Sequence, residues 1–367
     1  MIRPADTDKL LIISFVFLVA VGIAMVYSTS YIWATSRFGD GYLFFRKHVV
    51  YAAIGLVCFV AGAKIPYGAH RKLAYPALII VIIMLIAVLI PGVGYVAGGA
   101  RRWLRLGPVA FQPSEAAKMA LVFFMAMNLA KKQERIKGFW AGFAPNMLIP
   151  GVVIALIMLE PDLGTALCAA FLMLLMNFIG GVRMRYLVIA ALAALPVVYF
   201  FVMKNFGYMM TRIMVYIDPW KDPEGKGFQM VQSFIAFGSG GIDGVGIGES
   251  KQKLFYLPEA HTDFIFSVIG EETGLIGAGL VIVFYALFLY SGARIALKSK
   301  ELHGKFLAIG VTFMIVMQAA INMSVVLGLL PPKGLPLPFI SYGGTSLVVS
   351  MFAAGILLNI NMRNNEA

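Results

Sequence analysis

Residues 10–27 read LLIISFVFLVAVGIAMVY, a mainly apolar stretch that no charged residue interrupts. A helix rises about 1.5 Å per residue, so a helix of this length covers most of the roughly 30 Å hydrocarbon core of a bilayer. No small-residue cleavage site follows the stretch, as it would in a signal peptide. We therefore interpret residues 10–27 as part of a first transmembrane helix.

The rest of the sequence has the same character. The chain of 367 residues is 60% hydrophobic and 13% charged, with a mean hydropathy of +0.86, whereas soluble domains carry about 25% charged residues. The sequence predicts an all-α integral membrane protein with ten transmembrane helices, forming a single domain over residues 1–367. The predicted spans are residues 10–28, 48–65, 73–91, 115–130, 143–160, 163–180, 186–203, 263–290, 306–330 and 344–360.

Charged residues between the spans predict how the chain is oriented. With the N-terminus in the cytoplasm, the inner segments hold sixteen Lys and Arg residues and the short outer loops hold seven. The long extracytoplasmic loop 204–262, between the seventh and eighth spans, holds six more, but long loops have little influence on topology. Both termini are therefore predicted to be cytoplasmic. This asymmetry also accounts for the net charge of +12 without a nucleic-acid partner.

The residues that usually bind metals are scattered along the chain. Both cysteines lie in apolar stretches, which argues against a disulfide framework and against a cysteine metal site. The four histidines show no ligand spacing such as HExxH. The sequence therefore predicts no metal site built from protein side chains.

The predicted outer side carries the distinctive loops. Loop 204–262 is long, and the shorter loops 92–114 and 331–343 are rich in motifs. Residues 228–237 mix apolar side chains with Gln and Ser, which predicts a short amphipathic helix in the outer interface. Because long and chemically distinctive loops commonly carry function, we expect the functional site at the outer face.

The end of the long loop and the span after it read LPEAHTDFIFSVIGEE, residues 257–272. Asp263 stands where this loop meets the apolar span, and two roles suit it. It can cap the helix, as Thr262 also can, by accepting a backbone N–H bond. It can also act as a general base, because the edge of a low-dielectric region raises the pKa of a carboxyl group. Capping does not require its neighbours Glu259 and His261.

Glu271 and Glu272 lie in the same predicted span, about two helical turns after Asp263. Charged side chains inside a bilayer are costly and usually face a partner or a cavity. One interpretation is a structural ion pair, with Lys118 or an arginine of another span as the partner. The other is a pathway for protons or substrate.

Loop 92–114 and the span after it contain GGARRWLRLGPVAFQPSEAAK, residues 98–118. Its arginines, among them Arg101 and Arg102, either anchor the chain at the lipid headgroups or bind an anionic phosphate. Glu115 and Lys118 follow at a spacing of i, i+3, which brings them together on a helix.

Two further motifs belong to the outer side. In EPDLG, residues 160–164, Asp162 is predicted to cap the following helix. PPKGLPLPFISYGGTS, residues 331–346, holds four prolines and three glycines, so it cannot form a regular helix. Lys333 is its only charged residue. Irregular backbone near membrane depth is tolerated only when it packs in protein or lines a cavity.

Together these motifs resemble the SEDS family, the bacterial proteins of shape, elongation, division and sporulation. The resemblance covers almost the whole chain, and the motifs follow one another in the family order. They are GARRWL (99–104), QPSEAAK (112–118), EPDLGTAL (160–167), GKGFQMVQS (225–233), LPEAHTDFIFSVIGEE (257–272) and PPKGLPLPFISYGGTS (331–346). PEAHTDFIF and KGLPLPFISYGG look more like the cell-division branch of the family than the elongation branch. Thr345 stands where the family usually has Ser, which keeps the hydroxyl group.

The resemblance implies a peptidoglycan glycosyltransferase that polymerises lipid II at the outer face of the bacterial cytoplasmic (inner) membrane, at the division septum. The family's essential aspartate before the eighth span matches Asp263, which would take a proton from the 4-hydroxyl of the acceptor sugar. We see no second carboxylate that must act as a covalent nucleophile, so we expect a single displacement with inversion. The resemblance also implies partners: a class B penicillin-binding protein, other membrane proteins of the division machinery, and membrane lipid.

The leaving group of such a reaction is a lipid diphosphate, whose developing charge calls for cationic stabilisers. A divalent cation, Mg²⁺ or Mn²⁺, is the alternative stabiliser. The residues expected to bind substrate are Lys333, Arg101, Arg102, Lys118, Arg212, Glu259, His261 and Ser341. The residues left between a structural role and a role in the site are Glu115, Asp162, Glu271 and Glu272.

Two rival functions use the same features. A lipid II transporter would explain Glu271, Glu272 and Lys118 inside the membrane. However, no pair of matching interrupted helices is apparent in two halves of the sequence, and the polar motifs gather on one side. A scaffold that only recruits the transpeptidase would not need Asp263.

Overall fold

The computed structural model describes residues 4–97, 100–107, 109–204, 206–258 and 260–366. Over these residues the chain forms a bundle of α-helices with one small sheet. The helices are α1 (Pro4–Phe38), α2 (Leu43–Lys64), α3 (Tyr67–Leu89), α4 (Pro113–Lys131), α5 (Ala144–Leu159), α6 (Leu163–Gly180), α7 (Met184–Lys204), α8 (Phe206–Ile217), α9 (Phe228–Gly240), α10 (Ile265–Lys298), α11 (Leu302–Val326) and α12 (Gly344–Glu366). Each of the ten predicted spans coincides with one of these helices.

Eight helices in the described part of the chain are long and apolar enough to cross a membrane. They are α1, α2, α3, α5, α6, α10, α11 and α12. Helix α4 is not among them, because Glu115 and Lys118 lie in its first two turns and lower its hydropathy. Helix α7 contributes the shorter apolar segment Met184–Pro196. The predicted all-helical membrane fold is thus confirmed, whereas the count of ten spans stays a prediction.

The loop between the seventh and eighth predicted spans contains two helices. Helix α9 was predicted as an amphipathic helix over residues 228–237, and it runs from Phe228 to Gly240. Helix α8 was not predicted, because its apolar residues were taken for part of an irregular loop. Helix α9 packs against α10 and α11, whereas α8 bonds to the segment after α11 through Arg212 and Tyr216. Both helices contribute lining residues to the site described below.

The centre of the bundle is α4, in which nearly all side chains are buried. It packs against α3 and α11. Large apolar side chains on outer helices are exposed instead, for example Val57 on α2 and Ile83 on α3. Soluble proteins bury most of their large apolar side chains. Their exposure here suits a protein whose outer surface contacts lipid rather than water.

A small antiparallel sheet covers one end of the bundle, where the sequence had suggested only a loop. Its strands are β1 (Gly94–Ala97), β2 (Ala100–Leu106) and β3 (Val109–Phe111), in the order β1-β2-β3. Arg101 and Arg102 are consecutive on β2, so their side chains leave opposite faces of the sheet. The strands are too short, and β1 and β2 too irregular in register, for an alternating pattern to stand out in the sequence.

Helix α10 is interrupted at Gly274, which has a positive φ of 63°. The interruption frees backbone groups that would be costly to leave unpaired in a membrane. A return of the preceding loop satisfies them: Val245 N donates to Glu271 O (3.0 Å), and Leu275 N donates to Gly241 O (2.9 Å). Hydropathy alone does not reveal this arrangement, since both halves of the helix are apolar.

The same loop supplies partners for the two carboxylates of α10. Lys253 Nζ lies 3.1 Å from Glu272 Oε1, with both side chains almost completely buried, and Ser28 Oγ donates to the same oxygen (2.7 Å). Glu271 Oε1 accepts a bond from Lys251 N (3.1 Å). The structure therefore shows a buried ion pair, but the predicted partner was wrong. The partner comes from the returning outer loop and not from another span.

Replacing Lys253 with Met is expected to destabilise the protein, because removing one member of a buried ion pair costs about 3–5 kcal/mol. The measurement is the midpoint of thermal unfolding of the detergent-purified protein. Lys251→Met, an exposed neighbour on the same loop, is the matched control and should unfold like the wild type. A double variant that also carries Glu272→Gln should regain most of the loss. An unchanged midpoint for Lys253→Met would contradict this account of the loop.

Candidate active site

Asp263 lies immediately before α10. The helix begins at Ile265, and its N-cap position is Phe264, where no side chain caps the helix. The N-cap position thus falls on Phe264 and not on Thr262 or Asp263, the two residues that were predicted to cap this helix. Asp263 instead lines a cavity of about 420 Å³.

This cavity, which we call the main cavity, brings together four of the predicted site residues: Asp263, Lys333, Arg102 and Arg212. They come from the start of α10, the segment before α12, strand β2 and helix α8. Further lining residues that were not singled out from the sequence include Trp103, Gln112, Thr165, Gln229 and Tyr342. Each of these residues lies inside one of the motifs quoted above. Its place in a motif was the only feature of the sequence that could have identified it as a lining residue.

Residues 331–343 form the irregular segment predicted from the prolines, and side chains of α11 hold it. Gln318 Nε2 donates to Pro336 O (2.8 Å), and Asn322 Nδ2 donates to Leu335 O (2.6 Å). Gln318 and Asn322 are one turn apart on the same helix face. Two amide side chains thus satisfy two successive carbonyl groups of a segment that has no regular secondary structure.

The same contacts join this segment to the residues before α10. Asn322 Nδ2 also donates to Asp263 O (2.8 Å). Ser341 Oγ donates to Thr262 O (2.6 Å), and Tyr342 N donates to His261 O (2.9 Å). Residues 261–263 and 335–342 are therefore fixed to each other, which sets the position of the Asp263 carboxylate relative to the neighbouring segment.

Gly334 lies directly beside that carboxylate. A Cβ atom at Gly334 would come within 2.7 Å of Asp263 Oδ2, a distance that real side chains essentially never show. A glycine at this position lets the backbone next to Lys333 approach Asp263 closely. Lys333, the only charged residue of the irregular segment, therefore follows a backbone that runs beside Asp263, and both residues line the main cavity.

Lys118 was expected to bind substrate, but it does not line the main cavity. It supports the site indirectly, through its contact with Gln318. Its Nζ lies 2.8 Å from Glu115 Oε1, as the i, i+3 spacing predicted, and it also donates to Gln318 Oε1. All three side chains are buried. The ion pair therefore orients the Gln318 amide, whose other end holds Pro336.

The main cavity is predominantly cationic. Arg102 Nε donates to Glu160 O (3.3 Å), and Arg212 donates to Pro332 O, so backbone carbonyls hold both guanidinium groups in place. Burial lowers the pKa of Lys333, and nearby Arg212 lowers it further. Among the lining residues that the structure describes, these three cations share the cavity with a single carboxylate, Asp263. Such a cavity is suited to an anionic substrate.

Other predicted site residues lie outside the lining. Arg101 Nη1 donates to Leu89 O (3.2 Å), on the opposite face of β2 from Arg102. His261 packs among aromatic rings, 4.9 Å between centroids from Phe44, and burial lowers its pKa to about 4, so it is neutral at pH 7. Ser341 is buried and bonded to backbone. None of these three lines the main cavity and each one holds protein structure, so their contact with substrate stays a prediction.

Asp162 and Glu259 are two further residues that the sequence predicted for the site. Asp162 caps α6 as expected, because its Oδ1 accepts from Thr165 N (3.1 Å). Its Oδ2 also accepts from Gln112 Nε2 (3.2 Å), which ties the start of α6 to the segment before α4. Glu259 lies outside the described residues.

The lining does not fit a metal centre built from side chains. Nowhere in the described ranges do three or more His, Cys, Asp or Glu residues come together in a way that could hold a metal ion. Mg²⁺ sites usually combine one or two carboxylates with substrate phosphates and water. Asp263 is one such carboxylate, so the divalent cation stays a prediction, and no step of the chemistry below is assigned to one.

The whole chain matches one family. The sequence model of the family described as Cell cycle protein, FTSW_RODA_SPOVE, matches residues 8–366. The chain belongs to this family. The predicted SEDS membership is thereby confirmed, since the SEDS proteins comprise the FtsW, RodA and SpoVE proteins.

Relatives within the FtsW, RodA and SpoVE family refine the comparison. A protein of Geobacter sulfurreducens (strain DL-1 / KN400), named "Probable peptidoglycan glycosyltransferase FtsW", is 47% identical over 97% of this chain and 95% of its own. "Stage V sporulation protein E" of Bacillus subtilis (strain 168) is 40% identical over 98% of each chain. The Geobacter protein, at 47% identity, carries the FtsW name, which agrees with the cell-division branch predicted from the motifs.

Solved structures share the fold. One, described as "Structural coordination of polymerization and crosslinking by a peptidoglycan synthase complex", has a TM-score of 0.77 and 30% identity, over 96% of this chain and 98% of that one. The rod shape determining protein RodA of Thermus thermophilus has a TM-score of 0.71 and 26% identity, over 96% of both chains. The similarity therefore extends over nearly all of the chain.

Proposed function

We propose that this protein is a peptidoglycan glycosyltransferase that polymerises lipid II into glycan strands at the outer face of the cytoplasmic membrane. Its FtsW relatives carry the name of that enzyme. The observation that carries the proposal is the main cavity, whose described lining combines one carboxylate, Asp263, with three cationic side chains. A glycosyl transfer from a lipid diphosphate requires these two kinds of group.

Asp263 acts as the general base in this proposal. It takes the proton from the 4-hydroxyl of the acceptor sugar while the oxygen attacks the anomeric carbon of the donor. The bonds that Asn322 and Ser341 make to residues 262–263 hold its backbone. Fixing a base relative to the reacting atoms supplies much of its efficiency, because a misplaced carboxylate must be repositioned in every turnover.

Arg102, Arg212 and Lys333 stabilise the leaving diphosphate. Negative charge develops on the diphosphate oxygens as the glycosidic bond breaks, and cations fixed in advance stabilise it without reorganisation. The forked guanidinium group matches phosphate geometry and forms two parallel hydrogen bonds. A double displacement needs a second carboxylate near the anomeric carbon. The cavity lining supports a single displacement with inversion, since Asp263 is the one carboxylate among its described residues.

The setting of the enzyme forms part of the proposal. The distribution of Lys and Arg supports cytoplasmic termini and, with them, a main cavity on the outer side. The FtsW relatives support action at the division septum. A similar solved structure belongs to a complex that coordinates polymerization and crosslinking, which supports a class B penicillin-binding protein as partner, together with other membrane proteins of the division machinery.

The comparisons favour the enzyme over the transporter considered from the sequence. The FtsW relatives are named as glycosyltransferases. The buried carboxylates that suggested a transport pathway have structural partners instead, since Glu272 pairs with Lys253 and Glu115 with Lys118. Neither pair lines the main cavity.

The proposed function is tested with purified protein in detergent, with and without its transpeptidase partner, supplied with labelled lipid II. Glycan chains are expected from the wild type, and Asp263→Asn should lower the rate by about 10²–10⁴-fold, because it removes the general base. Asp243→Asn, an exposed outer-loop residue, is the matched control. Undiminished polymerisation by Asp263→Asn would refute the assignment of the base. No polymer under any condition, together with leaflet exchange in liposomes, would establish the transporter instead.

The close approach of Gly334 to Asp263 gives a second test. Gly334→Ala is expected to lower the rate of polymerisation by at least about 10-fold, because the new methyl group displaces the carboxylate, and small misplacements are costly. Gly343→Ala is the matched control, since a Cβ there meets Pro336 at an ordinary 3.5 Å on the same cavity wall. Equal rates for the two variants, measured at equal amounts of folded protein, would show that the close approach does not matter.

A further inference from the structure

The end of the bundle opposite the main cavity is strongly basic. Helices α4 and α6 begin beside the cavity, whose lining includes Gln112 and Thr165, and both run to this opposite end. The segments that follow them, residues 131–143 and 180–186, hold six basic residues and one acidic residue, Glu134. The basic residues are Lys131, Lys132, Arg135, Lys137, Arg183 and Arg185. On the predicted orientation, this end of the bundle faces the cytoplasm.

The two basic segments are fixed to each other. Gln133 Nε2 donates to Gly180 O (3.4 Å). The ring centroids of Phe139 and Phe143 lie 5.5 Å and 5.3 Å from that of Tyr186. The charges of the two segments therefore form one surface, which we call the basic patch, and not two separate loops.

The charges of the basic patch are not compensated by acidic side chains. None of its six basic residues forms an ion pair within the part of the chain that the structure describes. Arg183 and Arg185 are exposed, and both contact the hydroxyl group of Tyr186. A guanidinium group has five N–H donors, so one uncharged hydroxyl group occupies few of them. Tyr186 therefore holds the two arginines close together and leaves their charge available to an anion.

An apolar groove of about 290 Å³ begins at the same place. We call it the inner groove. One wall is α6, from Phe171 to Phe178, and the other is the start of α7, from Met184 to Ala191. Every residue of its lining is apolar, and Met184 stands between the two arginines in sequence. The inner groove therefore runs from the basic patch along two helices for about 10 Å, towards the centre of the membrane.

Two general effects account for part of this arrangement. Basic residues in cytoplasmic loops set the orientation of a membrane protein, and apolar side chains face lipid on any membrane helix. Neither effect requires two arginines to converge on one tyrosine at the mouth of an apolar groove. A ligand with an anionic headgroup and an acyl chain is complementary to both features, because its phosphate meets the cations while its chain fills the groove.

We propose that the basic patch and the inner groove together form a binding site for an anionic phospholipid of the cytoplasmic leaflet. The phosphate lies at Arg183 and Arg185, and one acyl chain lies between α6 and α7. The site is at the opposite end of the bundle from the main cavity, so it does not depend on the proposed function.

The headgroup is tested by native mass spectrometry, which counts the lipids bound to the detergent-purified protein. The probes are dioleoyl phosphatidylglycerol and dioleoyl phosphatidylcholine, which have the same chains and differ in charge. The wild type is expected to bind the first phosphatidylglycerol about 10-fold more tightly than phosphatidylcholine. A variant with Arg183→Gln and Arg185→Gln should lose this preference. A variant with Arg71→Gln and Lys72→Gln is the matched control and should keep it, because it removes two exposed charges from the start of α3.

The acyl chain is tested with variants that fill the inner groove. Val188→Trp and Leu175→Trp do so from opposite walls, which guards against a folding defect of one variant. Each should weaken the binding of phosphatidylglycerol about 10-fold, since displacing about two buried methylene groups has that effect. Ile189→Trp is the matched control and should bind like the wild type, because it adds bulk to the same helix outside the groove.

Four results would overturn the proposal. Two concern the headgroup: equal binding of the two lipids by the wild type, or loss of the preference in the Arg71 and Lys72 variant to the same extent as in the Arg183 and Arg185 variant. The other two concern the chain: binding of phosphatidylglycerol by both groove variants as by the wild type, or equal weakening by Ile189→Trp.

Discussion

The site depends on one constraint: a segment without regular secondary structure, residues 331–343, must have its carbonyl groups satisfied among membrane helices. Water cannot serve as the general partner there, so protein donors must. Gln318 and Asn322 of α11 provide them, and the ion pair behind Gln318 fixes its orientation. The Asn322 amide also holds the backbone of Asp263. One side chain therefore both satisfies a carbonyl group of the segment and positions the Asp263 carboxylate.

The sequence predicted those features that depend on local pattern. Long apolar stretches predicted the positions of ten helices, because a helix that spans a bilayer needs a long run of apolar residues. Contacts between residues about one helical turn apart were also predictable, such as the Asp162 cap and the pairing of Glu115 with Lys118. Asp263 and Lys333 were expected in the site because their motifs resemble those of a family, and the structure brings both to the same cavity.

What could not be predicted are contacts between residues far apart in the chain. Asn322 holds Asp263 across 59 positions, and nothing in an apolar helix such as α11 marks one amide as a support for the site. The pairing of Lys253 with Glu272 required the loop to return onto α10, which depends on the interruption at Gly274. Ser341 was expected to bind substrate because of its motif, but its hydroxyl is used by backbone groups.

The central claim is that Asn322 positions the carboxylate of Asp263 for catalysis, and the most direct test is kcat for lipid II polymerisation by Asn322→Ala. Asn359→Ala is the matched comparison, because Asn359 is also buried and bonded to two backbone groups, at Ala63 and Tyr67. Both variants should lose thermal stability. The account predicts that kcat per folded molecule falls about 10²-fold in Asn322→Ala alone, since misplacing a reacting group by about 1 Å has that effect. Equal kcat values for the two variants would contradict it.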